Sequence, residues 1–241
     1  MTRESLDAFG AFYRTRAHPC PYLPGQAESR VFTELTDDGA DIQYQALTRA
    51  GFRRSHRMVY RPVCPSCNAC TPVRVLALDF EYARWQRRVM RRNRDLTEEE
   101  VPAKATDEQY KLFVRYLRDR HGGGPMARMS SADYRAMVEE TPVETYILEY
   151  RDGDGQLIAA CLTDRLNDGY SAVYSIAEPD EARRGLGNFM ILRLVERARE
   201  RALPHVYLGY WIKDSAKMAY KDRFRPIEAL GPDGWRILPA P

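Results

Sequence analysis

From Thr106 onward the apolar residues fall into clear helical and extended periods, whereas before it the pattern is weak. Thr106-Asp-Glu-Gln109 has the form of a capping box, and Tyr110, Phe113, Val114 and Leu117 follow as one apolar stripe. Gly122-Gly-Gly-Pro125 ends that helix, and Ser131 can cap a shorter one carrying Tyr134, Met137 and Val138. Three extended runs come next, Val143–Tyr150, Gln156–Asp164 and Gly169–Ala177. Asp152-Gly-Asp-Gly155 and Asn167-Asp-Gly169 separate them, which predicts an antiparallel meander. A helix is expected from Leu186 to Ala202, with Phe189, Met190, Leu194, Val195 and Ala198 buried. Pro204 bars its continuation and opens a strand over His205–Ile212. A short helix over Asp214–Lys221 and two late strands, near Ile227 and at Trp235–Leu238, complete the pattern.

That order is helix, helix, three antiparallel strands, helix, strand, helix, strand. It is the layout of the GNAT acyltransferase core, a mixed sheet with helices on both faces, and predicts an α+β fold for residues 81–241. Such folds host many chemistries, so the order says little about function. Residues 1–80 read as a small, loop-rich N-terminal domain rich in proline and arginine, needing local staples. Only Val73–Leu78 there suggests a buried strand.

Bulk numbers narrow the class modestly. The 241 residues are 44% hydrophobic and 29% charged, as in ordinary globular chains. No apolar stretch approaches the ~18 residues of a membrane span. The sequence MTRESLDAFG lacks a basic-then-apolar secretory pattern, so a cytoplasmic protein without membrane partners is expected. Basic residues number 37 against 34 acidic, a net charge of only +3, so any case for nucleic acid rests on distribution.

The distribution is uneven. Arg84, Arg87, Arg88, Arg91, Arg92 and Arg94 crowd one helical segment, with Glu81 and Asp95 the nearest acids. Spacings of three and four put Arg84, Arg87, Arg88 and Arg91 on one face. A solvated face is the ordinary explanation, but the density of charge in a nearly neutral chain favours phosphate binding. Arg183-Arg-Gly-Leu-Gly187, between a strand and a helix, offers a second anion site, because glycines allow close approach and a helix N-terminus favours negative charge. A coenzyme A-type turn would carry Gln or Arg where this chain has Ala182.

No G-x-S-x-G, G-x-x-x-x-G-K-[ST] or H-E-x-x-H motif occurs, and His18, His56, His121 and His205 are too scattered to suggest a ligand set. Of five cysteines, Cys64, Cys67 and Cys70 fall within seven residues. With Cys20 they could form a four-thiolate site for zinc or an iron–sulfur cluster, or remain free thiols; Cys161, in a strand pattern, reads as core.

Five segments together resemble the arginyl/leucyl-tRNA–protein transferase family. They are Cys20-Pro-Tyr-Leu23; Gly51-Phe-Arg-Arg54 with Tyr60-Arg-Pro-Val-Cys64; Cys67-Asn-Ala-Cys70-Thr-Pro-Val-Arg74; Gln86-Arg-Arg-Val-Met-Arg-Arg-Asn93; and Tyr207-Leu-Gly-Tyr-Trp-Ile-Lys213 with Lys217-Met-Ala-Tyr-Lys221 and Phe224-Arg-Pro226. They occur in the family's order, and the short length and cysteine pattern resemble its bacterial leucyltransferase branch. Leu23 stands where eukaryotic relatives, reported as cluster-binding, carry a further cysteine.

The resemblance implies transfer of leucine from charged tRNA, leucyl-tRNA in this branch, to the α-amine of a protein beginning with Asp or Glu, creating an N-terminus that marks it for degradation. It implies a reaction strand carrying Tyr207, Gly209, Tyr210 and Lys213. The acceptor's carboxylate calls for a cation, with Arg53, Arg54, Lys213 and Lys217 the candidates. The tRNA backbone would lie on Arg84, Arg87, Arg88, Arg91, Arg92 and Arg94 with Arg183 and Arg184. No cofactor is required: the donor ester is activated, and freeing an α-amine costs only about 1 kcal/mol at pH 7. A possible metal at Cys20, Cys64, Cys67 and Cys70 would be structural or regulatory. The alternatives are arginine as the donated residue, a coenzyme A-dependent N-acyltransferase, and an RNA-binding or metal-sensing module without activity.

Overall fold

The computed structural model describes residues 10–36, 38–121 and 128–239. The N-terminal segment carries strands β1 (Tyr13–Arg14), β2 (His18–Pro19), β3 (Ala27–Glu28) and β4 (Arg30–Glu34), then helix α1 (Ala40–Arg49). Strands β5 (Arg53–Ser55), β6 (Met58–Pro62) and β7 (Thr71–Leu76) follow. Next come α2 (Arg84–Arg92), β8 (Thr97–Pro102), α3 (Asp107–His121) and α4 (Ser131–Glu139). The meander is β9 (Thr145–Arg151), β10 (Leu157–Leu166) and β11 (Gly169–Ala177), succeeded by α5 (Leu186–Glu200), β12 (His205–Trp211), β13 (Ile227–Gly231) and β14 (Gly234–Ile237).

Two of these sheets organise the chain. An eight-stranded one runs β14-β13-β7-β12-β11-β10-β9-β8, and a four-stranded one runs β1-β4-β6-β5. The larger is mixed, because β11 and β12 are parallel while its other neighbours are antiparallel. Side chains alternate across β9, so Tyr146, Leu148 and Tyr150 face one core while Ile147 faces the other. The first core takes Phe189, Met190, Leu194 and Val195 from α5; the second takes Leu112, Phe113 and Leu117 from α3 and Tyr134 and Val138 from α4. Helices therefore cover both faces of a mixed sheet, the α+β layout expected of a GNAT-like core. Each fully buried Leu, Phe or Val contributes ~1.5–3 kcal/mol through removal from water.

Local chemistry explains the helix starts. Thr106 Oγ1 accepts from the Gln109 amide at 3.2 Å and Gln109 Oε1 from the Thr106 amide at 3.1 Å, so the capping box forms as read. For α4 the cap is Ser130, one residue earlier than Ser131: its Oγ accepts from the Asp133 amide at 3.2 Å. The Gly122–Pro125 stop lies outside the described residues.

Two expectations change. The helix over Asp214–Lys221 is instead a turn and a short 3-10 segment, Ala219–Arg223, held against β12 by Trp211 Nε1 donating to the Ala219 carbonyl at 3.1 Å. Strand β8 goes unanticipated because Thr-Glu-Glu-Glu-Val-Pro has no alternation; its Glu98 and Glu100 are held by Arg193 and Arg197 of α5 and by Arg165. The N-terminal part is loop-rich as expected, with strands of two to five residues, and Leu35, Tyr44, Leu47 and Val59 close a third core with Val143, Leu166 and Tyr207. No helix of the described residues is long and apolar enough to cross a membrane.

Candidate active site

Strands β11 and β12 share only three paired positions, Gly169 with His205, Tyr170 with Val206 and Ser171 with Tyr207. Beyond them the strands part, leaving a wedge in the middle of the sheet. Into it reaches Arg53, from β5 of the smaller sheet. Its Nη1 donates to Ser171 Oγ at 3.3 Å, and its Nη2 to the carbonyls of Ala172 at 2.6 Å and Val173 at 3.2 Å. Gly209 makes this possible. It lies at a register shift in β12 with φ of 73°, and a Cβ there would fall 2.5 Å from Arg53 Nε. Strand β12 thus bulges at Gly209, and the group that approaches it closely is a guanidinium of the same chain.

Lys221 enters the wedge region from the 3-10 segment. It is 7% exposed, and its Nζ donates to the Tyr210 carbonyl at 2.6 Å, with Met218 Sδ at 3.8 Å. Burial, reinforced by the positive charge of Arg53, pushes the ammonium down to about 7, against a weaker opposing influence of Cys70. Neither Arg53 nor Lys221 has a carboxylate partner among the described residues. Lys221 falls within the Lys217–Lys221 motif, but no spacing announces that one lysine of three on this segment turns inward.

Other expected residues have different employment. Tyr207 donates from its hydroxyl to Asp168 Oδ2 at 3.0 Å and accepts from Arg74 Nη1 at 3.2 Å, with its ring edge-on to Trp235. Burial foremost, and the Asp168 charge, push its phenol up to about 12. The Tyr210 hydroxyl reaches the carbonyls of Gly51 and Tyr60, each at 3.0 Å, and so ties β12 to the N-terminal segment. Both tyrosines are therefore anchors whose hydroxyls are committed, not groups facing the wedge. Lys213 and Lys217 are exposed and have no acidic partner among the described residues.

Arg54 is the clearest reassignment. Its side chain is fully buried beside Asp164, with Nε to Oδ2 at 2.7 Å and Nη2 to Oδ1 at 2.6 Å. Tyr44 donates to Oδ2 at 2.6 Å and Thr145 to Oδ1 at 2.7 Å, while Arg54 Nη1 takes the His56 carbonyl at 2.8 Å. This clamp fixes β5 against β10 and thereby sets where Arg53, the next residue back, can reach. It leaves Arg54 no capacity for an acceptor carboxylate.

The basic segment forms helix α2, and its arginines differ in their surroundings from those of the glycine turn. Arg84, Arg87, Arg88 and Arg91 are exposed and make no ion pair among the described residues. Arg94 and Arg183 are also exposed, and Arg92 donates to the Arg183 carbonyl. Asn93 Nδ2 donates to the Val89 carbonyl at 2.9 Å and the Arg184 carbonyl at 3.1 Å, so helix and glycine turn form one surface. Arg184 itself is neutralised by Asp95, at 2.9 and 2.8 Å, and by Glu181 at 2.9 Å. Gly185, with φ of 68°, caps α5 without a side-chain partner, which leaves a helix N-terminus beside this surface.

Cys20, Cys64, Cys67 and Cys70 are partly exposed free thiols, and Cys161 is buried core as read. Burial first, then the neighbouring Cys64, Cys20 and Cys67, push the Cys70 thiol up to about 12. The four therefore lie near one another, yet no three His, Cys, Asp or Glu side chains among the described residues are arranged to hold a metal ion. The donors suit a soft metal; their geometry here does not form its ligand set. Of the scattered histidines, His18 lies 3.6 Å from Glu28 and His205 3.5 Å from Asp168; the side chain of His121 is outside the described residues.

Comparison with known proteins covers both halves of the chain. Residues 18–88 match the family described as arginine-tRNA-protein transferase, N terminus, and residues 108–231 its C terminus. The aspartate/glutamate leucyltransferase of Paramagnetospirillum magneticum is 56% identical over 225 residues, 93% of this chain and 92% of that protein. The protein of the same description from Parvibaculum lavamentivorans is 54% identical over 240 residues, all of both chains. Among solved structures, L-PGS from Bacillus licheniformis has a TM-score of 0.49 at 11% identity, covering 88% of this chain and 76% of that one. FemX has a TM-score of 0.47 at 9% identity, covering 88% and 82%.

Proposed function

Because the chain belongs to the arginine-tRNA-protein transferase family, we propose that it transfers leucine from leucyl-tRNA to the α-amine of proteins beginning with Asp or Glu. The product carries a destabilising N-terminus that marks the protein for degradation. The observation that carries this reading is the wedge between β11 and β12, which holds the guanidinium of Arg53 and the amino group of Lys221 without a carboxylate. An acceptor with an acidic first side chain supplies the missing anion, and the Arg53 guanidinium is the charge it would pair with.

The chemistry fits a site without a nucleophilic side chain. The α-amine attacks the ester carbonyl, the C–N bond forms, and the ribose oxygen leaves. Placing amine and ester in reach of each other and stabilising the developing oxyanion supply most of the rate. A coenzyme A-dependent reading is weaker, because Ala182 stands in the glycine turn where Gln or Arg would be expected. Whether the cysteines hold zinc or an iron–sulfur cluster is separate from the transfer, which has no redox step. A charged-tRNA donor implies a cytoplasmic setting.

The basic surface of Arg84, Arg87, Arg88, Arg91, Arg92, Arg94 and Arg183 would hold the tRNA backbone. Changing Arg84, Arg87 and Arg88 together to Gln is expected to weaken tRNA binding and make the slope of log K against log salt shallower by ~2–3, at ~0.7–0.9 per phosphate contact. Filter binding across a salt series measures this, and an unchanged slope would remove these three from the interface.

The reading itself is tested with radiolabelled leucine or arginine on tRNA and peptides starting with Asp, Glu or Ala. Leucine on Asp and Glu peptides but not on Ala is the expected result. Arginine transfer would keep the mechanism and change the donor. No transfer from either, by folded protein that binds tRNA, would leave an RNA-binding module.

A further inference from the structure

We propose that Lys221 is the proton acceptor of the transfer: its uncharged amine takes a proton from the acceptor's α-ammonium and returns it to the departing ribose oxygen. The proposal rests on the leucyl-transfer reading above and adds to it the group that performs the acid–base work.

Three structural facts support it. Lys221 is buried to 7% exposure, and a buried ammonium ordinarily requires a carboxylate. Here its polar neighbours are the Tyr210 carbonyl at 2.6 Å and Met218 Sδ at 3.8 Å, neither of which carries charge. The carbonyl belongs to the stretch of β12 beyond its pairing with β11, so Nζ is held where the sheet opens. The charged and titratable groups facing it are Arg53 from β5 and Cys70 from the segment before β7, and Arg53 outweighs Cys70 in setting its basicity. Burial and Arg53 together bring the amine to about 7, where a large share is uncharged at neutral pH. An uncharged amine can donate one hydrogen to Tyr210 and still present a lone pair, which a protonated one cannot.

The proton balance closes. The acceptor arrives as an ammonium and gives one proton to Lys221. Its freed nitrogen attacks the ester carbonyl, and the tetrahedral adduct loses a second N–H proton to solvent. Collapse breaks the ester C–O bond, and the ribose oxygen takes the proton held by Lys221. The products are an amide, a tRNA with a free hydroxyl, and one proton released. Docking of the acceptor also sets the timing. Its carboxylate offsets the repulsion from Arg53, so Lys221 gains affinity for a proton as the acceptor arrives. An Ala-starting peptide brings no such charge.

The test compares the wild type with Lys221→Met and Lys221→Arg under single-turnover conditions at saturating leucyl-tRNA. With Asp-starting peptide, kcat of Lys221→Met is expected to fall ~10²–10⁴-fold, the usual contribution of a positioned acid–base group, while peptide KM stays within a factor of about three. Lys221→Arg keeps a donor to Tyr210 but stays charged and cannot accept a proton, so it should not rescue; rescue would make Lys221 a positioning residue and overturn the proposal. A second acceptor whose first residue is 3,3-difluoroaspartate has a less basic amine, largely free at neutral pH. The deficit of Lys221→Met should shrink at least tenfold with it; an equal deficit with both acceptors would overturn the proposal.

Stability gives an independent readout. The folded-state basicity of Lys221 lies below that of an unfolded lysine, so its protonation costs stability, most fully below about pH 7 and vanishing as pH rises toward the unfolded value near ~10.4. Lys221→Met should therefore raise Tm, most of all at acid pH. A falling Tm would mark Lys221 as structural and overturn the proposal. Loss of wild-type transfer would instead count against the leucyl-transfer reading, which these variants leave untouched.

Discussion

Replacing Asp164 with Ala is expected to destabilise the fold by about 3–5 kcal/mol, because one half of a buried ion pair would remain without its partner. Arg54 would keep a guanidinium with no exposed surface, and the hydroxyls of Tyr44 and Thr145 would lose the oxygens they now meet at 2.6 and 2.7 Å. Urea denaturation should show the midpoint falling at constant slope. The double change Arg54→Met with Asp164→Leu should recover much of the loss, since well-packed apolar replacements of such pairs are often neutral. A loss under about 1 kcal/mol on Asp164→Ala would refute the clamp, since that is the range of exposed pairs. The double variant also separates stability from activity. It should fold while leaving Arg53 less firmly aimed, because the backbone anchor next to it is gone.

Gly209→Ala should lower kcat/KM for an Asp-starting peptide by roughly 100-fold, the scale reached when a reacting group is displaced by about 1 Å. Two effects combine. A φ of 73° costs a residue with a Cβ about 1–2 kcal/mol. The methyl would also stand 2.5 Å from Arg53 Nε, 2.8 Å from Cδ and 2.9 Å from Cζ, so the guanidinium must leave the wedge. Steady-state transfer kinetics beside tRNA filter binding would measure it, with tRNA affinity expected to hold because the basic surface is elsewhere. Activity within a factor of three of the wild type would show that Arg53 need not sit where it does.

The sheet from β9 to β12 was readable because its strands are long, bounded by Asp-Gly and Asn-Asp-Gly turns, and flanked by helices with strong apolar stripes. Residues 13–62 were not, because strands of two to five residues are too short to show a period. Their pairing is decided by contacts distant in sequence, such as Arg54 with Asp164. The site divides along the same line. The basic helix could be named from residue type and spacing, whereas Gly209 and Arg53 followed from the family resemblance. Adjacent Arg53 and Arg54 could not be told apart, since strand alternation sends one to the wedge and the other to the clamp. Lys221 and the hydroxyl partners of Tyr207 and Tyr210 depend on which way side chains turn, and no local pattern records that.

Strand β7 lies between β12 and β13 in the large sheet, though its residues 71–76 precede theirs by more than a hundred positions. During synthesis the first hundred residues therefore emerge holding a strand with two bare edges. Its neighbours arrive only with residues 205–231. The centre of the sheet closes late, through long loops, which predicts slow folding for the chain's size. It also exposes the growing chain to edge-to-edge association until the end. A stop or cleavage before residue 205 would thus yield not a smaller working protein but an aggregation-prone fragment.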